Sequence, residues 1–103
     1  MVANGEIWLL EPPNGKSRPV LVVTRDEAIP VLNNVVVAPI TSTIRRIPTA
    51  IGLGPETGID HDSVAAFDSI ASIPKSLLTV RLGALGSDRR GEICSALAAL
   101  ADC

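Results

Sequence analysis

A chain of 103 residues, 47% hydrophobic but only 2% aromatic, has room for one modest core of Val, Ile, Leu and Ala, with Trp8 and Phe67 its only large rings. A net charge of −2 argues against a general nucleic-acid binder, which usually carries a basic footprint. Two cysteines and a single histidine, His61, are too few for a disulfide framework or a transition-metal centre.

The opening Met1-Val2-Ala3-Asn4-Gly5 has no basic leader and no segment approaches about 18 apolar residues, which predicts a cytoplasmic protein without membrane contact. One domain is expected over residues 1–103. A small aliphatic chain commonly buries its surplus by self-association, so a homodimer is expected.

Glu6 to Leu10 reads as a first strand, and Pro12-Pro13-Asn14-Gly15 as a turn of residues that fix φ or tolerate positive φ. That turn delivers Lys16, Ser17 and Arg18 to the edge of the next strand. Runs of β-branched residues favour strand over helix, which predicts a second strand over Arg18 to Thr24 and a third over Val35 to Ile40, paired in one sheet. Pro30 and Asn33-Asn34 mark the loop between them, and Thr41 to Arg46 is a polar, basic loop. A fourth strand is predicted over Thr49 to Leu53, a turn over Gly54 to Gly58, and a fifth strand over Ser63 to Asp68 that continues as Ile70 to Ile73. Pro74-Lys75-Ser76 suggests a short helical turn.

The final segment changes period. Ile93, Leu97 and Leu100 recur at i, i+4 and i+7 on one helical face, with Ser87 as the cap, Asp88 in the first turn and Gly91 a tolerated weak point. Cys94 is expected to pack on this helix and Cys103 to be incidental at its end. Several short strands and one helix, with no βαβ alternation, predict a mainly β fold with one C-terminal helix, as a small barrel or strongly bent sheet.

Charge is spread unevenly. Residues 1–50 carry Lys16, Arg18, Arg25, Arg45 and Arg46 against Glu6, Glu11, Asp26 and Glu27, a balance of +1, whereas residues 51–103 balance at −3. With Arg18 opening one strand and Thr41 closing its neighbour, the two side chains can meet over a single phosphate. The plainer readings are a surface arginine that begins a strand and a hydroxyl that caps a turn.

Six short blocks follow one another in a specific order: Gly5-Glu6-Ile7-Trp8, then Arg18-Pro19-Val20-Leu21-Val22-Val23, then Pro39-Ile40-Thr41-Ser42. Asp62-Ser63-Val64, Phe67-Asp68-Ser69-Ile70 and Lys75-Ser76-Leu77-Leu78, leading to Arg81-Leu82-Gly83, complete the set. Across nearly its whole length the chain resembles the MazF/PemK family of toxin endoribonucleases. The resemblance implies an SH3-like barrel, a homodimer, and cleavage of single-stranded RNA, mRNA foremost, without metal or other cofactor. It also implies a cognate antitoxin whose acidic, flexible segment occupies the same basic groove. The family's catalytic Arg falls on Arg18 and its catalytic hydroxyl on Thr41, and its products carry a 2′,3′-cyclic phosphate and a 5′-hydroxyl.

Such cleavage drives a 2′-hydroxyl in line onto the adjacent phosphorus, so the site must relieve that proton, neutralise the phosphorane oxygens and protonate the departing 5′-oxygen. An arginine is a poor base, but its planar fork suits two phosphate oxygens; Arg18 reads as a transition-state clamp and candidate proton donor. Thr41 orients or stabilises the same phosphate, with Ser42 and Thr43 as chemically similar neighbours. Lys16 and Ser17 would line the cleft mouth, joined by Ser42 as an RNA contact. Arg45 and Arg46 either contact flanking phosphates or form solvated surface. With few aromatics to stack bases, recognition falls to polar groups at base edges, for which Asp68 and Ser69 are candidates beside the plainer reading of a structural carboxylate. His61, between Asp60 and Asp62 in a loop, is not assigned to catalysis.

Two departures from the family pattern matter. Pro13-Asn14-Gly15-Lys16-Ser17 is shorter than the family's Gly-Ser-Glu-Gln loop, so the acidic residue that loop supplies is missing and no carboxylate base is assigned. Ser69 stands where many relatives carry Gln, so base specificity is not carried over. A gyrase poison of the CcdB type shares the barrel but uses a C-terminal Trp-Gly-Ile tail, where this chain reads Ala101-Asp102-Cys103. A silent SH3-like binding module is the remaining alternative, against which Arg18 and Thr41 argue.

Overall fold

The Val, Ile and Leu runs build an antiparallel sheet in the computed structural model, which describes residues 2–101. Its strands are β1 (Glu6–Leu10), β2 (Arg18–Val22), β3 (Asn34–Thr41), β4 (Ala50–Leu53), β5 (Ser63–Ala66), β6 (Ala71–Pro74) and β7 (Leu78–Ala84), followed by the helix α1 (Gly91–Ala101). The strand order is β4-β5-β3-β2-β1-β7, and β6 also pairs with β3. This is the mainly β fold with one C-terminal helix that the sequence predicts.

The long β3 organises the site. Its partner on one edge changes along its length: Asn34 to Val37 pair with β6, whereas Ile40 and Thr41 pair with β5. Between those two ladders the facing chain carries a 3₁₀ turn, Phe67–Ser69, opposite Ala38 and Pro39. Pro39 has no N–H for either neighbour, so the ladder can open there at low cost. The expected strand from Ser63 to Asp68 therefore stops at Ala66, and Ile70 to Ile73 resumes as β6 only after this turn. The interruption holds Asp68 and Ser69 beside the end of β3 instead of in a flat ladder.

Both faces of the central strands are covered, which is why they read as unbroken apolar runs. The main core gathers Ile7, Leu21, Ala38, Ile51, Ala65 and fully buried Phe67, with Ile93 and Ala96 of α1 against them. On the opposite side Val20, Val22, Val35 and Val37 pack with Ile29 and Leu78, and Trp8 and Leu10 lie against that cluster. α1 buries Ile93 and Ala96 with Leu97 beside them, whereas Leu100, predicted on the inner face, is 39% exposed.

Several expectations are corrected. The sheet is not closed among the described residues: β4 and β7 end the order without pairing. In place of a ladder, the backbone of Thr57-Gly58 lies on Leu82-Gly83, so close that a Cβ at Gly83 would sit 1.8 Å from the Thr57 carbonyl oxygen. β7 is absent from the strands read in the sequence, although Leu78, Val80 and Leu82 alternate with Thr79, Arg81 and Gly83 and that alternation is its signal. Ser87 does not cap α1 but opens a 3₁₀ turn, Ser87–Arg89, without a side-chain cap, and Gly91 begins the helix instead of lying inside it. Cys94 is exposed, because the short helix turns Ile93 and Ala96 inward and leaves it outside. Cys103 and the last residues of the tail fall outside the described residues.

Candidate active site

Arg18 opens β2 and Thr41 closes β3, and the register of the two strands decides their relation. Val20 faces Pro39, Leu21 faces Ala38 and Val22 faces Val37. Continuing that register by two residues sets Arg18 opposite Thr41. Opposed residues of an antiparallel pair share a face, with Cβ atoms about 4.5–5.5 Å apart. Both line an open cleft of about 500 Å³, together with Lys16, Ser17, Pro39 and Ser69. An apolar slot of about 270 Å³, floored by Val20, Val37 and Ile73, adjoins it and shares Arg18, Pro39 and Ser69.

The structure thus brings together Lys16, Ser17, Arg18, Thr41 and Ser69, which are scattered in sequence. Ser42 lies on the far side of Thr41, in a neighbouring cleft. Arg45 and Arg46 are exposed on the loop after β3 and line neither cleft. Asp68 also stays outside the lining; its Oδ2 accepts a hydrogen bond from the Thr49 hydroxyl at 2.7 Å, which ties it to the segment before β4. Thr41 Oγ1 accepts the backbone N–H of Thr43 at 3.2 Å. A hydroxyl that accepts through a lone pair still has its own proton to donate, so this turn bond points the O–H without consuming it.

The cations of the cleft, Lys16 and Arg18, are uncompensated among the described residues, as are Arg45 and Arg46 on the loop outside it. None of the four makes a side-chain hydrogen bond or ion pair with a described residue, whereas Arg81, Arg89 and Arg90 are each bonded to a carboxylate. Arg81 donates to Glu6 at 2.8 Å. Burial pushes the Glu6 carboxyl upward, but hydrogen bonds from Arg81, Trp8 and the Ala3 N–H outweigh it and hold the group below the usual carboxylate range. Such free cations in a concave site are suited to an anionic ligand of phosphate geometry.

The second cleft, about 600 Å³, is lined by Pro19, Ile40, Thr41, Ser42, His61 and Leu82, among others. It contains the residues that sequence reasoning left aside. His61 Nδ1 lies 2.5 Å from Asp60 Oδ1, and Thr41 forms the wall between this cleft and the one holding Arg18. Among the described residues no group of three or more His, Cys, Asp or Glu side chains could hold a metal ion. No helix of the described residues is long and apolar enough to cross a membrane.

A family model described as PemK-like, MazF-like toxin of type II toxin-antitoxin system matches residues 3–101. The chain belongs to this family. Among its MazF relatives, the probable endoribonuclease MazF5 of Mycobacterium tuberculosis is 40% identical over 102 residues, covering 98% of this chain and 94% of the relative. The solved structure of Mycobacterium tuberculosis toxin MazF-mt6 is similar with a TM-score of 0.85 at 32% identity, covering 94% of this chain and 96% of that one. An endoribonuclease in complex with its cognate antitoxin, from a mycobacterial species, is similar at a TM-score of 0.82 and 27% identity, covering 97% of this chain and 94% of that one. This member of the MazF/PemK family sets Arg18 and Thr41 on one cleft and Pro19, Thr41 and Ser42 on its neighbour.

Proposed function

We propose that this MazF/PemK toxin cleaves single-stranded RNA, mRNA foremost, at the cleft between Arg18 and Thr41, without a metal, and that a cognate antitoxin restrains it. The chain is an endoribonuclease of the MazF type, as its relatives are named. The observation that carries the site is the juxtaposition of an unpaired Arg18 with a Thr41 hydroxyl whose lone pair, not its proton, is engaged. The guanidinium fork binds two non-bridging oxygens of the scissile phosphate and stabilises the charge that grows there in the phosphorane. Thr41 donates its hydroxyl proton to one of the same oxygens. The 2′-oxygen bonds to phosphorus as the bond to the 5′-oxygen breaks, leaving a 2′,3′-cyclic phosphate and a 5′-hydroxyl.

Lys16 and Ser17 receive the neighbouring phosphate at the mouth, and Ser69 faces a base edge from the turn opposite Pro39. An acidic antitoxin segment competes for the same free cations. The active form is a homodimer of single-domain subunits in the cytoplasm. The test is to incubate the chain and its Arg18→Ala variant with a long single-stranded RNA in EDTA, mapping the cuts and their end groups. Discrete cuts with cyclic-phosphate ends, made by the parent and not the variant, are expected. Absence of cutting by the parent removes this reading.

A further inference from the structure

Beside Arg18 the same sheet face continues into the apolar slot, and the pairing register fixes which side chains share it. Leu10 stands opposite Arg18, Val20 opposite Pro39, and Val37 opposite Ala71. Opposed residues share a face, so a row that begins with the charged fork of Arg18 turns aliphatic at Val20, the next residue of β2 on that face. Successive same-face residues of a strand lie about 6.5–7 Å apart. That is the reach from a backbone phosphate to the base of an adjoining nucleoside. We propose that this slot is a base pocket, which takes one nucleobase flanking the scissile phosphate, with Ser69 at its rim as the specificity-determining residue. The inference rests on the ribonuclease reading above.

Size and the placement of polar groups commit the slot to that occupant. At about 270 Å³ it falls below the roughly 300–1,000 Å³ of sites for drug-sized ligands, which leaves room for one ring system with its sugar and phosphate outside. Leu10, Val20, Val37, Ala71 and Ile73 offer no polar side-chain atom. Arg18 and Ser69 do, and both also line the phosphate cleft, so the two cavities meet at those side chains. An aliphatic bed with polar groups along one rim suits a flat ring whose faces are apolar and whose edge is polar. It does not suit a second phosphate, which would be desolvated there with no partner beyond Arg18. Single-stranded RNA can present such a ring, because its unstacked bases are free to splay out.

The sheet is interrupted to make this space. The ladders of β3 with β6 and with β5 leave a gap at Ala38 and Pro39, and across it stands the 3₁₀ turn that carries Ser69. That turn is fixed on both sides of Ser69. Phe67 is fully buried and its N–H donates to the Thr49 carbonyl at 2.9 Å, the Asp68 carboxylate accepts from the Thr49 hydroxyl, and the Ile70 N–H donates to the Phe67 carbonyl at 3.3 Å. Ser69 itself is exposed, and among the described residues its hydroxyl makes no hydrogen bond. A free hydroxyl on a fixed backbone discriminates between base edges, since a mismatched edge leaves a polar group unpaired.

The test is cleavage of a mapped single-stranded RNA in EDTA by the parent, Ala71→Leu and Ser69→Ala. The nucleoside on the 5′ or the 3′ side of the cut is either intact or an abasic ribose, which keeps the 2′-hydroxyl. At one of these two positions, removal of the base should lower the parent's kcat/KM by about tenfold or more. Ala71→Leu, which fills the slot from an exposed position of β6, should bring that intact-to-abasic ratio toward unity. Ser69→Ala should change which base is preferred at the same position in a random-sequence RNA pool, and it decides alone if Ala71→Leu does not fold. A parent indifferent to base removal at both positions, or a ratio and a preference unchanged in the variants, overturns the inference while the ribonuclease reading stands. A loss of self-association in Ala71→Leu with the ratio kept assigns the slot to a second copy of this chain and overturns it too. A parent that cuts no RNA overturns both readings.

Discussion

The two ends of β2 use the same residue type in opposite ways. At its far end, where the chain runs through Val23 and Thr24 toward α1, Arg90 donates to Asn4 and to Asp26, while Asn4 donates to the carbonyls of Val23 and Thr24. Arg89 likewise grips Glu92 through two nitrogens, and hydrogen bonds from it hold that carboxyl below its usual range. At the opening end, Lys16 and Arg18 meet no carboxylate among the described residues. An arginine whose fork is filled by the protein ties segments together; one left empty beside a cleft is available to a ligand. The contrast between filled and empty forks, more than the number of cations, separates the arginines that tie segments of the fold together from those left open beside the Arg18 cleft, although Arg25, just beyond the far end of β2, makes no side-chain bond among the described residues either.

The sharpest way to break this comparison is to exchange what the two ends lose. Arg18→Ala should lower cleavage by about 10²- to 10³-fold, the cost typical of removing a transition-state donor, with no change in melting temperature. Arg90→Ala should do the reverse, melting several degrees lower while its cleavage rate per folded molecule stays at the parent value. If both variants lose activity and stability together, the division between the ends is wrong.

Acid should act on the filled end first. The carboxyls of Glu6, Asp26 and Glu92 are all held below their ordinary range, Glu6 by Arg81, Trp8 and the Ala3 N–H against its burial, Asp26 by the Asn4 N–H and Arg90, and Glu92 by Arg89. A carboxyl depressed in the folded state adds stability that is complete above its unfolded value and is lost as pH falls through the folded one. The melting temperature should therefore drop as pH is lowered from about 5 toward 3. Glu6→Gln should flatten that drop more than Asp26→Asn or Glu92→Gln, because the Glu6 side chain is only 16% exposed against 49% and 45% for the other two.

The smallest effect belongs to the loop after β3. Arg45→Ala or Arg46→Ala should leave kcat near the parent value and weaken RNA binding, each lowering the log–log dependence of affinity on salt by about 0.7, as expected for one phosphate contact on a single strand. An unchanged salt slope would class both arginines as solvated surface.

Much of the fold was legible because the signals were local. β1, β2 and β3 carry β-branched or aliphatic runs bounded by Pro, Gly and Asn, and they form within two residues of the expected limits. The errors share a cause in tertiary geometry. Phe67 looks like a strand residue, yet it sits in a 3₁₀ turn because the core takes its ring and Pro39 across the sheet offers no N–H. Ser87 has the chemistry of a cap, but the chain spends one further turn before α1 begins. The placement of Arg18 near Thr41 followed from strand order and register, both readable. The place of His61 in the neighbouring cleft did not, since it depends on the backbone contact of Gly58 with Leu82 and Gly83 between segments more than twenty residues apart.

By itself the sequence determined the class of fold and the family and named the candidate site residues, because β-propensity, turn chemistry and the ordered blocks are properties of neighbouring residues. Which of those cations stay unpaired, where the ladder on β3 opens, and what faces Thr41 from its other side were decided only by the tertiary structure. Charge compensation and cleft walls arise between residues brought together by packing, and one chain's order of letters carries no distance between them.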